Sequence, residues 1–328
     1  LDLSQFDYQL PAERIAQNPS PARDGARMLV LDRSTQTWQD RMFRHLPSYL
    51  HKDDLLVFNN SRVFKSRLIG HRVGHTGRIE IFLAEQMDDT WRALVRPGRK
   101  LPPGTQVEFA EGFHATIEER LEHGERRVRL HAADQWAAIQ TYGHVPLPPY
   151  IRRPDDATDS ERYQTVFARE RGSVAAPTAG LHFTEEILRQ CQADRAEVTL
   201  HVGLGTFQPL HSKTIEDNQL HFERFHVDAD AAQKMETAGR VIAVGTTAVR
   251  TIESFYKSGN TGQTNLFIYP GFEFQRVDAM LTNFHLPQSS LLVLVGAFAG
   301  RDFTMAAYRH AVKENYRFFS YGDCMLIL

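Results

Sequence analysis

The chain has 328 residues, 42% hydrophobic and 24% charged, with 38 Lys and Arg against 40 Asp and Glu. Such a chain can bury a large core in more than one domain, and its net charge of -2 excludes a globally basic nucleic-acid coat while allowing a local basic face. Cys191 and Cys324, the two cysteines, are too far apart for a CxxC metal signature or a disulfide framework; with no secretory leader or membrane-length apolar run, a reducing, cytoplasmic setting is expected.

Pro11 opens a short helix over 12–17, which Pro19 and Pro21 stop. Residues 28–31 and 55–58 read as buried strands, with a brief helix or turn over 43–50 between them. From 63 to 130, short runs at 78–83, 91–95, 106–109, 114–118 and 126–130 alternate with Gly, Pro and charged turns, the texture of a small all-β barrel. Arg96, Arg99 and Lys100 occupy one of these turns. A helix over 132–142 ends at Gly143, and Pro146, Pro148 and Pro149 then force a stiff, extended path suited to a domain joint. Arg152, Arg153, Arg162, Tyr163 and Arg169 follow; an Arg–Tyr pairing suits an unpaired base and its phosphate, and a solvated helix face is the equal alternative.

The densest stretch is 172–211. A loop of small residues ending at Gly180 leads to His182, and Thr184 is placed as the N-cap of a helix running to about 192. A strand over 198–202 carries His201 at its end, followed by Gly203, Gly205 and Thr206. Loops at the carboxyl ends of strands are where open α/β sheets bind ligands, although both histidines read equally well as structural residues. Further on, a strand over 222–226 places His221 and Glu223 on one face, a pairing suited to proton transfer or to simple charge pairing. A helix over 230–239 and a strand over 240–244 lead to Gly245, Thr246 and Thr247, which open a helix with free backbone N–H groups; the spacing is neither a Walker loop nor a dinucleotide fingerprint. A strand over 266–269, a loop holding Asn283, Phe284 and His285, an apolar strand over 290–299, a helix over 303–313 and a terminal strand over 324–328 complete the chain. The alternation after 174 predicts an α/β layer that the N-terminal strands join: a discontinuous domain of 1–62 and 151–328, with 63–150 inserted as the barrel.

Ten blocks carry a resemblance. They are FDYQLP at 6–11, LLVFNNSRV at 55–63, HVPLPPYIRR at 144–153, RYQTVFA at 162–168 and VAAPTAGLHFT at 174–184, then VTLHVGLGTFQP at 198–209, VIAVGTTAVRTIES at 241–254, IYPGFEF at 268–274, LTNFHLPQSSLL at 281–292 and YRFFSYGDCMLI at 316–327. Through them the chain resembles the S-adenosylmethionine:tRNA ribosyltransferase-isomerase family of queuosine biosynthesis. Where that family reads NDTR, this chain has Asn59-Asn60-Ser61-Arg62, an amide in place of a carboxylate.

The resemblance implies an α/β sandwich with an inserted β-barrel. It also implies a reaction in which S-adenosylmethionine, as co-substrate, gives its ribosyl carbons to 7-aminomethyl-7-deazaguanine at the tRNA wobble position, yielding epoxyqueuosine, adenine and methionine. Removing a C5′ proton beside the sulfonium, expelling adenine, adding the tRNA amine and displacing methionine needs a general base, a proton donor and oriented hydroxyl contacts, with no metal and no permanently bound cofactor. His182 and His201 lead as acid–base candidates, with His285 third and His221 with Glu223 as the alternative pair. Gly180, Gly203, Gly205, Thr206, Gly245, Thr246, Thr247 and Arg250 are expected around the donor, with Asn283 and Phe284 at its adenine. Arg62, Arg67, Arg99, Lys100, Arg152, Arg153 and Arg162 are candidate tRNA phosphate contacts, and the family association makes a monomer without membrane attachment the expectation.

Overall fold

The computed structural model describes residues 1–328 except 99–100, 204, 206–209 and 260. The chain begins with β1 (Arg27–Asp32), β2 (Thr37–Met42), β3 (Asp54–Asn59) and the short β4 (Ser61–Val63). Six strands then close into an antiparallel barrel: β5 (Arg67–Arg72), β6 (Arg78–Met87), β7 (Thr90–Arg96), β8 (Gln106–Ala110), β9 (Phe113–Arg120) and β10 (Glu125–His131). Helices α1 (Gln135–Tyr142) and α2 (Ala157–Arg162) lead back, and β11 (Glu170–Ser173) pairs in parallel with β4. The remainder runs α3 (Glu185–Gln190), β12 (Asp194–Leu200), β13 (Glu223–His226), α4 (Ala229–Thr237), β14 (Arg240–Val244), α5 (Thr246–Ser258), β15 (Thr261–Thr264), β16 (Ala279–Asn283), α6 (Ser290–Ala299), α7 (Arg301–Lys313) and β17 (Cys324–Ile327).

One nine-stranded sheet organises the α/β layer in the order β15-β13-β12-β3-β14-β16-β17-β1-β2. Its centre, β12-β3-β14-β16, is parallel. β3 is buried along its whole length because both faces are covered. Leu55 and Val57 pack with Val241, Ala243 and helix residues such as Val249 and Ile252 on one side, while Leu56 and Phe58 pack with Ile242, Val244, Phe43 and Phe183 on the other. The two-residue alternation of a strand accounts for this division, and each fully buried Leu, Val or Phe contributes about 1.5–3 kcal/mol. The barrel encloses its own core of Leu68, Ile81, Leu83, Trp91, Val107, Ile117 and Val128, which Val174 from the α/β side joins.

The sequence expectation for 290–299 is corrected. This run is α6: Ser289 caps it by accepting from Leu292 N at 3.2 Å, and seven of its ten residues are buried. An all-round apolar segment carries no period that distinguishes strand from helix, so the cap decides. Residues 266–269 form no strand, and the sheet edge is supplied by β15. Asn283 ends β16, paired with Cys324, and does not lie in a loop. α6 and α7 meet at 117°, and no single helix among the described residues is long and apolar enough to cross a membrane.

Candidate active site

Beyond the ladder hydrogen bonds, the carboxyl ends of the central parallel strands are tied by one side chain and one backbone turn. Asn59, at the end of β3, donates to Leu200 O at 3.0 Å and to Thr247 Oγ1 at 3.2 Å, and its Oδ1 accepts from Leu200 N at 3.0 Å. Gly245, in the left-handed region at φ 91°, turns the chain from β14 into α5 and donates to Leu281 O at 2.8 Å. It provides no side-chain cap, so the first N–H groups of α5 stay open to a ligand.

Above these strand ends lies a cavity of about 450 Å³, within the range of small-molecule sites. Its floor is Gly245, Thr246, Thr247 and Arg250, and its far side runs from Thr282 through His285 to Leu291. Tyr150, Tyr163 and Phe319 line it with aromatic surface; Phe284 also borders it, but its ring is fully buried against Tyr308, Tyr316 and Phe318 and is not the stacking face the sequence predicts. Among the described residues its lining includes no Asp or Glu, and its single formally charged side chain, Arg250, is already paired with Glu223. An apolar wall beside open N–H and hydroxyl groups suits a ligand with a flat ring at one end and a carboxylate or hydroxyls at the other.

The sequence candidates divide around this cavity. Gly245, Thr246, Thr247, Arg250, Asn283, Phe284 and His285 line it. His285 is buried, with Nε2 2.8 Å from Thr282 Oγ1 and no hydrogen bond from Nδ1 to the described residues. Burial lowers its pKa to about 3, so the ring is neutral. His182 stands behind the lining, its Nε2 2.9 Å from Asn283 Oδ1. Burial lowers its pKa to about 4 against the opposing effect of hydrogen bonds to Asn283 and the Arg23 backbone. Gly180 also lies outside the lining: a Cβ there would sit 2.7 Å from Phe167 Cζ, so this glycine serves close packing.

His201, Gly203, Gly205, His221 and Glu223 are elsewhere. His201 follows β12 with its ring against Gly172, where an added Cβ would lie 2.7 Å from Nδ1; burial, then Arg224, lowers its pKa. Gly203 N donates to Glu223 Oε1 at 2.9 Å, and the other Glu223 oxygen pairs with Arg250, whose Nε donates to Leu266 O at 3.1 Å. Gly205, His221 and Glu223 line a small recess that shares Arg250, Ser290 and Leu291 with the main cavity. Thr206, Arg99 and Lys100 fall outside the described residues.

Of the other basic candidates, three are engaged. Arg153 forms a two-pronged pair with Asp159 at 2.6 and 2.8 Å, Arg162 donates to Ser20 O and Pro21 O, and Arg67 pairs with Glu80 at 2.8 Å. Arg62 and Arg152 are exposed, and neither side chain makes a hydrogen bond or ion pair with the described residues. Asn60 donates to Glu197 Oε2 at 3.1 Å and accepts from Thr199 Oγ1 at 2.7 Å, a structural use of both ends of its amide. The sequence reading missed Tyr150, Phe319 and Ser320 as cavity residues; the repeated aromatics and small residues of PPYIRR and RFFSYG were the available signal.

A family model described as queuosine biosynthesis protein matches residues 3–327. A protein of Solibacter usitatus named S-adenosylmethionine:tRNA ribosyltransferase-isomerase is 54% identical, covering 100% of both chains. One of the same name from Aquifex aeolicus is 46% identical over 99% of each. The crystal structure of an S-adenosylmethionine tRNA ribosyltransferase from Thermotoga maritima is similar at a TM-score of 0.56 and 40% identity, covering 99% of this chain and 100% of that one.

Proposed function

The chain belongs to the queuosine biosynthesis protein family, and on that premise we infer that it is a tRNA-modifying transferase and isomerase. It transfers the ribosyl moiety of S-adenosylmethionine to 7-aminomethyl-7-deazaguanine at the tRNA wobble position and isomerises it, giving epoxyqueuosine and releasing adenine and methionine. The observation that carries the site assignment is the cavity over the parallel strand ends, with open α5 N–H groups on one side and aromatic rings on the other.

In this reading Thr246, Thr247 and the start of α5 take the methionine carboxylate or ribose hydroxyls, and Tyr150 and Phe319 take adenine, the Phe284 ring being turned into the core. Arg250 supports that corner through Glu223 and Leu266. His285 is the acid–base group. With its Nε2–H donated to Thr282, Nδ1 is the ring position open to the C5′ proton; burial makes the ring a weak base, so the acidity of C5′ has to come from the adjacent sulfonium, and the imidazolium formed readily gives its proton to departing adenine. The aromatic lining leaves the sulfonium without a carboxylate counter-ion among the described residues, which preserves its pull on the C5′ electrons. The chemistry written this way calls for no metal. His221 with Glu223 and His201 stand farther from this role, Glu223 being committed to Arg250 and Gly203.

Arg62 and Arg152 are the proposed tRNA phosphate contacts, and residues 63–150 the inserted barrel domain of a cytoplasmic monomer. The test is adenine release. It requires both the donor and tRNA carrying the modified base, and His285→Ala abolishes both release and exchange of the C5′ hydrogen with solvent. Release without the RNA, transfer of the methyl carbon, or full exchange in the variant would overturn the corresponding assignment.

A further inference from the structure

We infer that His182 is a positioning residue: through the amide of Asn283 it holds the Phe319–Ser320 turn, and with it the aromatic wall of the cavity, in the shape the donor requires. This rests on the reading of the cavity as the S-adenosylmethionine site.

The hydrogen bonds determine which atom does what. Asn283 Nδ2 donates to Phe319 O at 2.9 Å and to Ser320 O at 3.3 Å. The amide nitrogen thus faces two carbonyls, which fixes the orientation of the amide, and the atom facing His182 is Oδ1. An acceptor there needs a donor, and of the two ring nitrogens only Nε2 has a partner in hydrogen-bond geometry among the described residues, the Arg23 backbone on the other side being the weaker claim, so the proton is placed on Nε2. That nitrogen is occupied, the ring is 5% exposed, and His182 is not among the cavity-lining residues. A group so placed does not touch the donor.

What it supports does touch the donor. Phe319 is a bulky residue at φ 72°, in the left-handed region, a conformation that costs about 1–2 kcal/mol and persists only where neighbours impose it. Asn283 supplies hydrogen bonds to two successive carbonyls of this turn, and Gly322 N donates to Phe319 O at 2.9 Å. Tyr150 stacks on Phe319 with ring centroids 4.5 Å apart, and its hydroxyl lies 2.6 Å from Ser320 Oγ. Tyr150, Asn283, Phe319 and Ser320 all line the cavity. Without the His182 donor, Asn283 Oδ1 is left buried and unpaired, the amide gains by rotating, Ser320 O loses its Asn283 donor and Phe319 O keeps only Gly322 N.

The test compares His182→Gln, His182→Leu, Asn283→Ala and the double variant His182→Leu/Asn283→Ala in adenine release with modified tRNA. Glutamine can place an N–H near the position of imidazole Nε2. His182→Gln therefore restores kcat/KM close to wild type with an unchanged pH profile, whereas His182→Leu loses roughly 10–100-fold, chiefly in KM for the donor. The double variant is no worse than the poorer single one. The inference is overturned if Gln is as inactive as Leu with the loss in kcat, if a limb of the pH profile disappears in the Gln variant, or if the single losses multiply. Should His182→Leu not fold, the Gln variant alone still decides between donor and proton carrier. The same cycle read as unfolding free energy uses no substrate: coupling there, in a protein that releases no adenine, would keep the relay and refute the reaction.

Discussion

Arg153 and Arg152 are adjacent in sequence, and the structure gives them opposite fates under the same substitution. Asp159 is the third helical residue of α2, its side chain has no exposed surface, and it accepts from both Arg153 nitrogens, from Tyr321 OH at 2.7 Å and from Asp156 N at 2.9 Å. Burial works to raise its pKa, but the bonds from Arg153, Tyr321 and Asp156 outweigh that and keep it below the usual carboxylate value. Arg153→Ala leaves this carboxylate buried without its cation. Breaking a buried pair costs 3–5 kcal/mol; because the Arg153 side chain keeps 22% of its surface in solvent, about 2–3 kcal/mol is expected here. In a chain of this size that lowers the melting temperature by roughly 3–4 °C. Arg152→Ala, on the exposed neighbour, should change stability by less than about 0.5 kcal/mol and reduce the salt-dependence slope of tRNA binding by about one. Thermal unfolding and tRNA titration at several salt concentrations read both quantities. If Arg153→Ala melts like the wild type and loses one unit of salt slope, Arg153 is a phosphate contact and the structural assignment is wrong.

Acid should destabilise the protein before its carboxylates titrate. His182 and His285 are neutral in the fold, with pKa values of about 4 and about 3 against 6.5 unfolded, so their contribution is complete above pH 6.5 and is lost as pH falls from 6.5 toward those values. Each loses about 1.4 kcal/mol per pH unit, or roughly 2 kcal/mol by pH 5; denaturant unfolding at pH 7.5 and 5 measures this, and equal stability at the two would contradict the burial. Asn60→Asp installs the carboxylate of the family pattern but sets it against Glu197 Oε2, 3.1 Å from the present amide nitrogen; the Arg169 guanidinium paired with that oxygen is largely exposed and offsets only part of the repulsion. About 1–3 kcal/mol of stability should be lost at neutral pH and recovered by adding Glu197→Gln; failure of the second change to rescue the first would mean that Asp finds another partner.

The fold was legible wherever local pattern and tertiary environment agree. The barrel runs between 78 and 130 alternate in a way that only a two-faced strand satisfies, and β14 with the Gly245 turn announces itself by a β-branched run, a glycine and hydroxyl residues. At α6 the pattern was silent, since burial on every side erases the helical period and only Ser289 marks the start. The site was half legible for a related reason. GTTAVR and TNFHL each bring their own residues to the cavity because each sits at a strand end, where chain order and spatial order coincide.

Histidine type alone could not say which imidazole faces the cavity. His182, His201 and His285 all sit next to strand ends or loops, and the same desolvation lowers the pKa of each. What separates them is the surroundings of each ring: for His182 an amide whose nitrogen already faces two carbonyls, for His201 a glycine face with Nδ1 buried and unpartnered among the described residues, away from the cavity, and for His285 one threonine and a place in the cavity lining. Those partners come from 101 positions away for His182, and from three for His285. Only the second separation lies within reach of a local sequence pattern. On the proposed reading a long-range hydrogen bond to Asn283 makes His182 a support, while the local Thr282 contact leaves His285 at the cavity, and only the second of these could be read from neighbouring residues.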